Sequence, residues 1–151
     1  MANPTINHGS FTIERNYDAA PARVFRAWAD PETKARWFIG PEGWQQVERK
    51  LDFRTGGSEI LHGKFAHGPE TRYVAHYYEV IAEERVVLAY DMHLSGKFHS
   101  VSLATVEFFR QGSGTKLVFT EQVAFLDGTK DAGPRERGTA QHLDRLAMIL
   151  G

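Results

Sequence analysis

Cysteine is absent from the 151 residues. That removes disulfides, thiolate zinc sites, iron–sulfur clusters and a cysteine nucleophile together. Such a chain suits a reducing compartment, and a cytoplasmic location is the expectation. A surplus of one charge sign is lacking too: 18 basic against 19 acidic side chains leave a formal net charge of -1. The basic stripe of a nucleic-acid binder is therefore not available, and DNA and RNA are not expected partners. Met1 to Ser10 contain no basic stretch followed by an apolar run, and no later segment has the apolar length of a membrane span. A phosphate loop, a dinucleotide fingerprint and a serine nucleophile elbow are likewise missing. His62 and His67 straddle one turn and His93 and His99 another, in neither case at a ligand spacing with a third partner. Neither metal nor cofactor is expected.

The composition is that of an ordinary globular protein, 42% apolar and 25% charged, at a length that one hydrophobic core can serve. Residues 1–9 are read as an N-terminal arm and 10–151 as one domain. Phe11, Ile13 and Tyr17 alternate with Thr12, Glu14 and Asn16, the period of a half-buried strand. Pro21 then suits a first helical turn, with Val24, Phe25, Trp28 and Ala29 on one stripe. Asp30-Pro31 restarts a second short helix to about Trp37, and Gly40-Pro41 ends it. Turn chemistry at Gly56-Gly57, His67-Gly68-Pro69, Ala82 to Glu84 and Gly112-Ser113-Gly114 divides the middle of the chain into strands near 44–53, 57–65, 71–81, 85–92, 98–110 and 115–124. Pro134 opens a last helix whose face holds Ala140, Leu143, Ala147 and Leu150, joined by Leu146. These elements predict an α+β fold: a curved antiparallel sheet around the closing helix, with two short helices after the first strand. One helix cannot fill such a sheet, so the remaining space holds large side chains, water or a ligand.

Several short motifs recur in a familiar order. They are Arg36-Trp37-Phe38 with Gly40-Pro41, Asp52 to Gly57, Tyr78-Glu79-Val80, Glu84-Arg85-Val86, Thr105-Val106-Glu107, Gly114 to Leu117, and Gly138 with Leu143 to Leu146. Over roughly Phe11 to Leu150 the chain resembles the bacterial family named after the activator of the ninety-kilodalton heat-shock-protein ATPase, within the START and Bet v 1-like (SRPBCC) superfamily. The resemblance implies a helix-grip fold with a hydrophobic tunnel. Function is less closely implied, because that superfamily includes lipid carriers, cyclases, receptors and co-chaperone domains. Two departures bear on the tunnel: the position after Gly138, often tryptophan in the family, is Thr139, and a last-strand position often occupied by histidine is Glu121.

Strand parity indicates which polar groups face inward. Leu117, Phe119, Glu121 and Val123 share one face, so Glu121 is either a cavity carboxylate or sits at the strand's open end against solvent or an arginine. Glu79 on the opposite parity assigns Val74, His76, Tyr78 and Val80 to the inside. A His76–Glu121 pair facing the cavity would exchange a proton or orient a polar ligand head, and a merely hydrogen-bonded histidine is the structural alternative. The expected cavity lining is Trp37, Phe38, Trp44, His76, Tyr78, Tyr90, Phe108, Phe119, Glu121 and Leu143, with no catalytic assignment. Trp37, Phe38 and Trp44 would flank the mouth beside a Gly40-Pro41 gate. The run from Lys130 to Arg137 reads as a solvated loop and helix start.

Three functions fit. The first is binding of an apolar or amphipathic small molecule. The second is a cyclase or hydrolase using His76 and Glu121. The third is a protein-interaction module or homodimer using an outer patch around Tyr73, Tyr77 and Phe109.

Overall fold

Proline and aspartate start the first two helices. In the computed structural model, which describes residues 3–151, Pro21 opens α1 (Pro21–Ala29) and Pro31 opens α2 (Pro31–Trp37). Asp30 caps α2, its Oδ2 accepting from the Thr33 N–H at 3.0 Å and the Thr33 hydroxyl at 2.6 Å. Val24, Ala27 and Trp28 bury one face of α1, and Trp37 donates its indole N–H to the Ala27 carbonyl at 2.9 Å, which locks α2 against α1.

Seven strands form one antiparallel sheet. They are β1 (Asn7–Tyr17), β2 (Trp44–Leu51), β3 (Ser58–Phe65), β4 (Glu70–Ile81), β5 (Arg85–Leu94), β6 (Lys97–Gln111) and β7 (Gly114–Phe125), in the order β1-β7-β6-β5-β4-β3-β2. The alternation expected of β1 extends to Asn7, three residues into the stretch read as an arm, because Asn7 to Gly9 pair with Val123 to Phe125. The concave face is mostly apolar, and on it β6 presents the small side chains Ser100, Ser102 and Ala104, all buried. These small side chains leave room above the middle of the sheet.

The long helix α3 (Gly133–Leu150) lies in that concavity. Leu143, Leu146 and Leu150 are its buried stripe, whereas Ala147 faces solvent because the 143-146-150 spacing turns it away from the sheet. The Tyr17 hydroxyl donates to the Leu143 carbonyl at 2.9 Å, tying α3 to β1. Arg145 reaches the carbonyls of Trp37 at 3.1 Å and Ile39 at 2.8 Å, so a cation of α3 satisfies the free C-terminal end of α2. The architecture is the predicted α+β helix-grip.

One strand departs from its expected facing. In β4 the buried residues are Tyr73, Ala75 and Tyr77, while His76 and Tyr78 look outward. The pairing with β5 jumps at Tyr77/Glu79, so Tyr78 is the extra residue of a β-bulge. Parity read backwards from Glu79 and Val80 crosses that bulge and inverts. His76 and Tyr78 therefore leave the cavity lining, and Tyr73 and Tyr77 leave the outer patch.

Candidate functional site

Between the sheet, the Gly40-Pro41 loop and α3 lies a cavity of about 390 Å³. Its sheet side is aromatic and aliphatic, including Trp44, Tyr73, Tyr90 and Phe125, and Phe38 joins them from the end of α2. Its helix side carries Asp131, Arg135, Thr139 and His142. A smaller inner chamber of about 60 Å³ adjoins it, lined by Trp37, Lys34, Phe119, Glu121 and Leu143 among others. Phe38, Tyr73, Tyr90, Thr139 and His142 belong to both, so they form the neck.

The mouth depends on two glycines. Trp44 lies where side chains of Gly40 and Gly63 would be, and a Cβ at either position would overlap its ring. With that space free, the indole lies against the sheet and donates to the Thr71 hydroxyl at 2.9 Å.

At the inner end Glu121 is wholly buried. Its Oε2 accepts from the Tyr90 hydroxyl at 2.6 Å, the Ser102 hydroxyl at 2.7 Å and Arg135 at 3.1 Å. The Arg135 guanidinium also donates to the Ser100 hydroxyl at 2.7 Å and the Tyr90 oxygen at 2.9 Å. Burial first, and then the charge of Glu121, push the Tyr90 hydroxyl well above its ordinary value, so it remains a proton donor at neutral pH. Glu121 is thus buried on the cavity side and paired with an arginine, not with solvent or His76.

A second buried carboxylate stands on β3. Glu59 accepts from Lys34 at 3.0 Å and from the Tyr77 hydroxyl at 2.6 Å. The Lys34 ammonium lies 5.2, 5.4 and 4.8 Å from the ring centres of Trp28, Trp37 and Phe38. Burial lowers the Lys34 pKa, against the pull of Glu59. In the neck, His142 accepts at Nδ1 from Arg145 at 2.6 Å. Burial and then the Arg145 charge pull its pKa down to about 4, so it is neutral at neutral pH.

Of the residues expected in the lining, Trp37, Phe38, Trp44, Tyr90, Phe119, Glu121 and Leu143 line one chamber or both. Phe108 faces inward but lies beyond the cavity, packed between Phe25 at 5.7 Å and Trp28 at 6.3 Å, because β6 outruns the chamber and α1 covers its far end. His76 is on the other side of the sheet from Glu121, so no proton-transfer pair forms. Arg135, read as part of a solvated run, turns inward from the first turn of α3. The Lys34–Glu59 pair was not anticipated. The one available signal was the Ser100-x-Ser102-x-Ala104 alternation, which places two hydroxyls on an inward parity. Among the described residues no helix is long and apolar enough to cross a membrane.

Comparison with known proteins agrees with this geometry. The family model described as Activator of Hsp90 ATPase homolog 1-like protein matches residues 18–151. An uncharacterized protein of Rhizobium leguminosarum is 44% identical, with 97% of this chain and 96% of that one covered and a TM-score of 0.91. Mll3558 of Rhizobium loti is 41% identical, with 95% and 98% covered and a TM-score of 0.88. An AHSA1-like protein of Aeromonas hydrophila shares the fold at 18% identity, with 93% and 90% covered and a TM-score of 0.65. No curated protein matches.

Proposed function

The chain belongs to the Activator of Hsp90 ATPase homolog 1-like family, and from that premise we propose that it binds an apolar or amphipathic small molecule in the two-chambered cavity. The carrying observation is the outer chamber of about 390 Å³, aromatic toward the sheet and polar toward α3. A volume of that order lies in the range of small-molecule sites, and the two-sided lining suits an amphipathic guest. Proteins of this SRPBCC fold generally bind ligands or partners. A chain free of cysteine needs no oxidising compartment, which supports a cytoplasmic site of action.

A guest held only by the native state raises the melting temperature with its concentration relative to its Kd. Thermal shift across amphipathic and aromatic libraries, with native mass spectrometry of the purified protein, tests the reading. A dose-dependent rise or a co-purifying mass is expected. A flat response throughout, with a clean apo mass, would count against it.

Val101, Leu103 and Phe109 favour a second reading. They stand 41%, 43% and 46% exposed on the outer parity of β6, an apolar patch suited to a homodimer or a protein partner. Sedimentation across a hundredfold concentration range distinguishes a self-associating chain from a strict monomer.

A further inference from the structure

The inner chamber ends on an acceptor that the protein leaves free. All three donors reaching Glu121, from Tyr90, Ser102 and Arg135, converge on Oε2, and Oε1 is buried with no partner. A buried carboxylate oxygen without a donor costs more than an ordinary missing hydrogen bond. The cations nearby do not answer it. Arg135 is engaged by Glu121 Oε2, Tyr90, Ser102 and Ser100. Lys34, the other cation on the chamber wall, is held by Glu59 and surrounded by three aromatic rings. Each of these two cations is matched by a buried anion. Glu59 Oε2 is also without a partner, but Glu59 lines neither chamber, so Glu121 Oε1 is the free carboxylate oxygen on the cavity wall.

Resting on the small-molecule reading above, we infer that the guest is a neutral molecule whose leading end carries an O–H or N–H donor for Glu121 Oε1. Its aromatic body occupies the outer chamber against Phe38, Trp44, Tyr73 and Phe125. The chemistry discriminates in two directions. A guest without a donor leaves Oε1 unpaired, and one with a carboxylate or phosphate at that end brings a second negative charge to a buried anion. The inner chamber, at about 60 Å³, admits a small tip such as a hydroxyl or an uncharged aromatic amine rather than a branched head group.

Three probes that share one biphenyl body and differ in the head group separate these cases: para-phenylphenol, para-methoxybiphenyl and biphenyl-para-carboxylate, titrated by calorimetry and by amide chemical shift. The phenol is expected to bind the native protein about tenfold more tightly than the ether, and more tightly than the carboxylate. In Glu121→Gln the three donors hold the amide oxygen, which leaves the amide N–H₂ where Oε1 stood. The chamber then offers a donor that the oxygen of either probe can accept, and the preference for the phenol should be lost. Equal binding of phenol and ether by the native protein, or tightest binding of the carboxylate, overturns the donor inference and leaves the small-molecule reading standing. If none of the three probes shifts a resonance or the melting temperature, the donor-tipped aromatic guest is overturned, and the small-molecule reading is decided by the library screen and the native mass. Should Glu121→Gln not fold, the native comparison alone decides.

Discussion

Glu121 owes its place to side chains from three other segments, and the energetics of the cluster reflect that. Removing the carboxylate by Glu121→Ala leaves Arg135 largely buried without its counter-ion, which costs about 3–5 kcal/mol when one partner of such a pair is lost. Glu121→Gln keeps an acceptor for all three donors and is expected to cost about 1–2 kcal/mol. Urea unfolding checks the order, and an alanine variant as stable as the native protein would show the cluster to be energetically idle. His142 gives a pH dependence of definite sign. Its folded pKa of about 4 lies below its ordinary 6.5, so the unfolded chain binds more protons between those values. The neutral ring's contribution is complete above pH 6.5 and is lost as pH falls toward 4, about 2–3 kcal/mol over the window. His142→Gln, which retains an acceptor for Arg145, should flatten the stability profile between pH 6.5 and 4. An unchanged slope would place the titration elsewhere.

Among the elements, β3 carries the mouth of the cavity by what it lacks. The Trp44 indole occupies the volume a Gly63 side chain would need. Gly63→Ala must push the ring off the sheet, at a cost of about 1–3 kcal/mol for an overpacked contact. The Trp44 indole N–H resonance should move with it as the bond to Thr71 is broken. A variant with native stability and an unmoved indole signal would mean the wall yields without cost. Strand β4 marks the limit of reading elements from alternation. Its existence and ends were legible, because turn residues bracket it. Its facing was not, because a bulge at Tyr78 shifts the period by one residue, and nothing in the local sequence announces the insertion. On β7 the pairing with both neighbours runs without a break, and there the same reasoning placed Glu121 and Phe119 correctly.

For the whole molecule, the open volume depends on the residue at the neck as much as on the fold. Thr139 lines both chambers at a position where the family often carries tryptophan. Thr139→Trp should fill the neck, lowering the affinity for para-phenylphenol at least about tenfold while leaving the melting temperature within a few degrees, since the site is spacious and only half-buried. Unchanged affinity would place the guest outside the two chambers. The order and type of all the elements, the helix starts at Pro21 and Asp30-Pro31, the leucines of the α3 stripe and the parity that puts Glu121 with Leu117 and Phe119 were determined by the sequence itself, because each rests on local chemistry or unbroken periodicity. Which residues meet in the cavity was decided only by the tertiary structure. Arg135 reaches Glu121, Lys34 reaches Glu59 and His76 turns away, because partner choice for a buried charge depends on how helices and strands distant in sequence close on one another, and no local pattern encodes that distance.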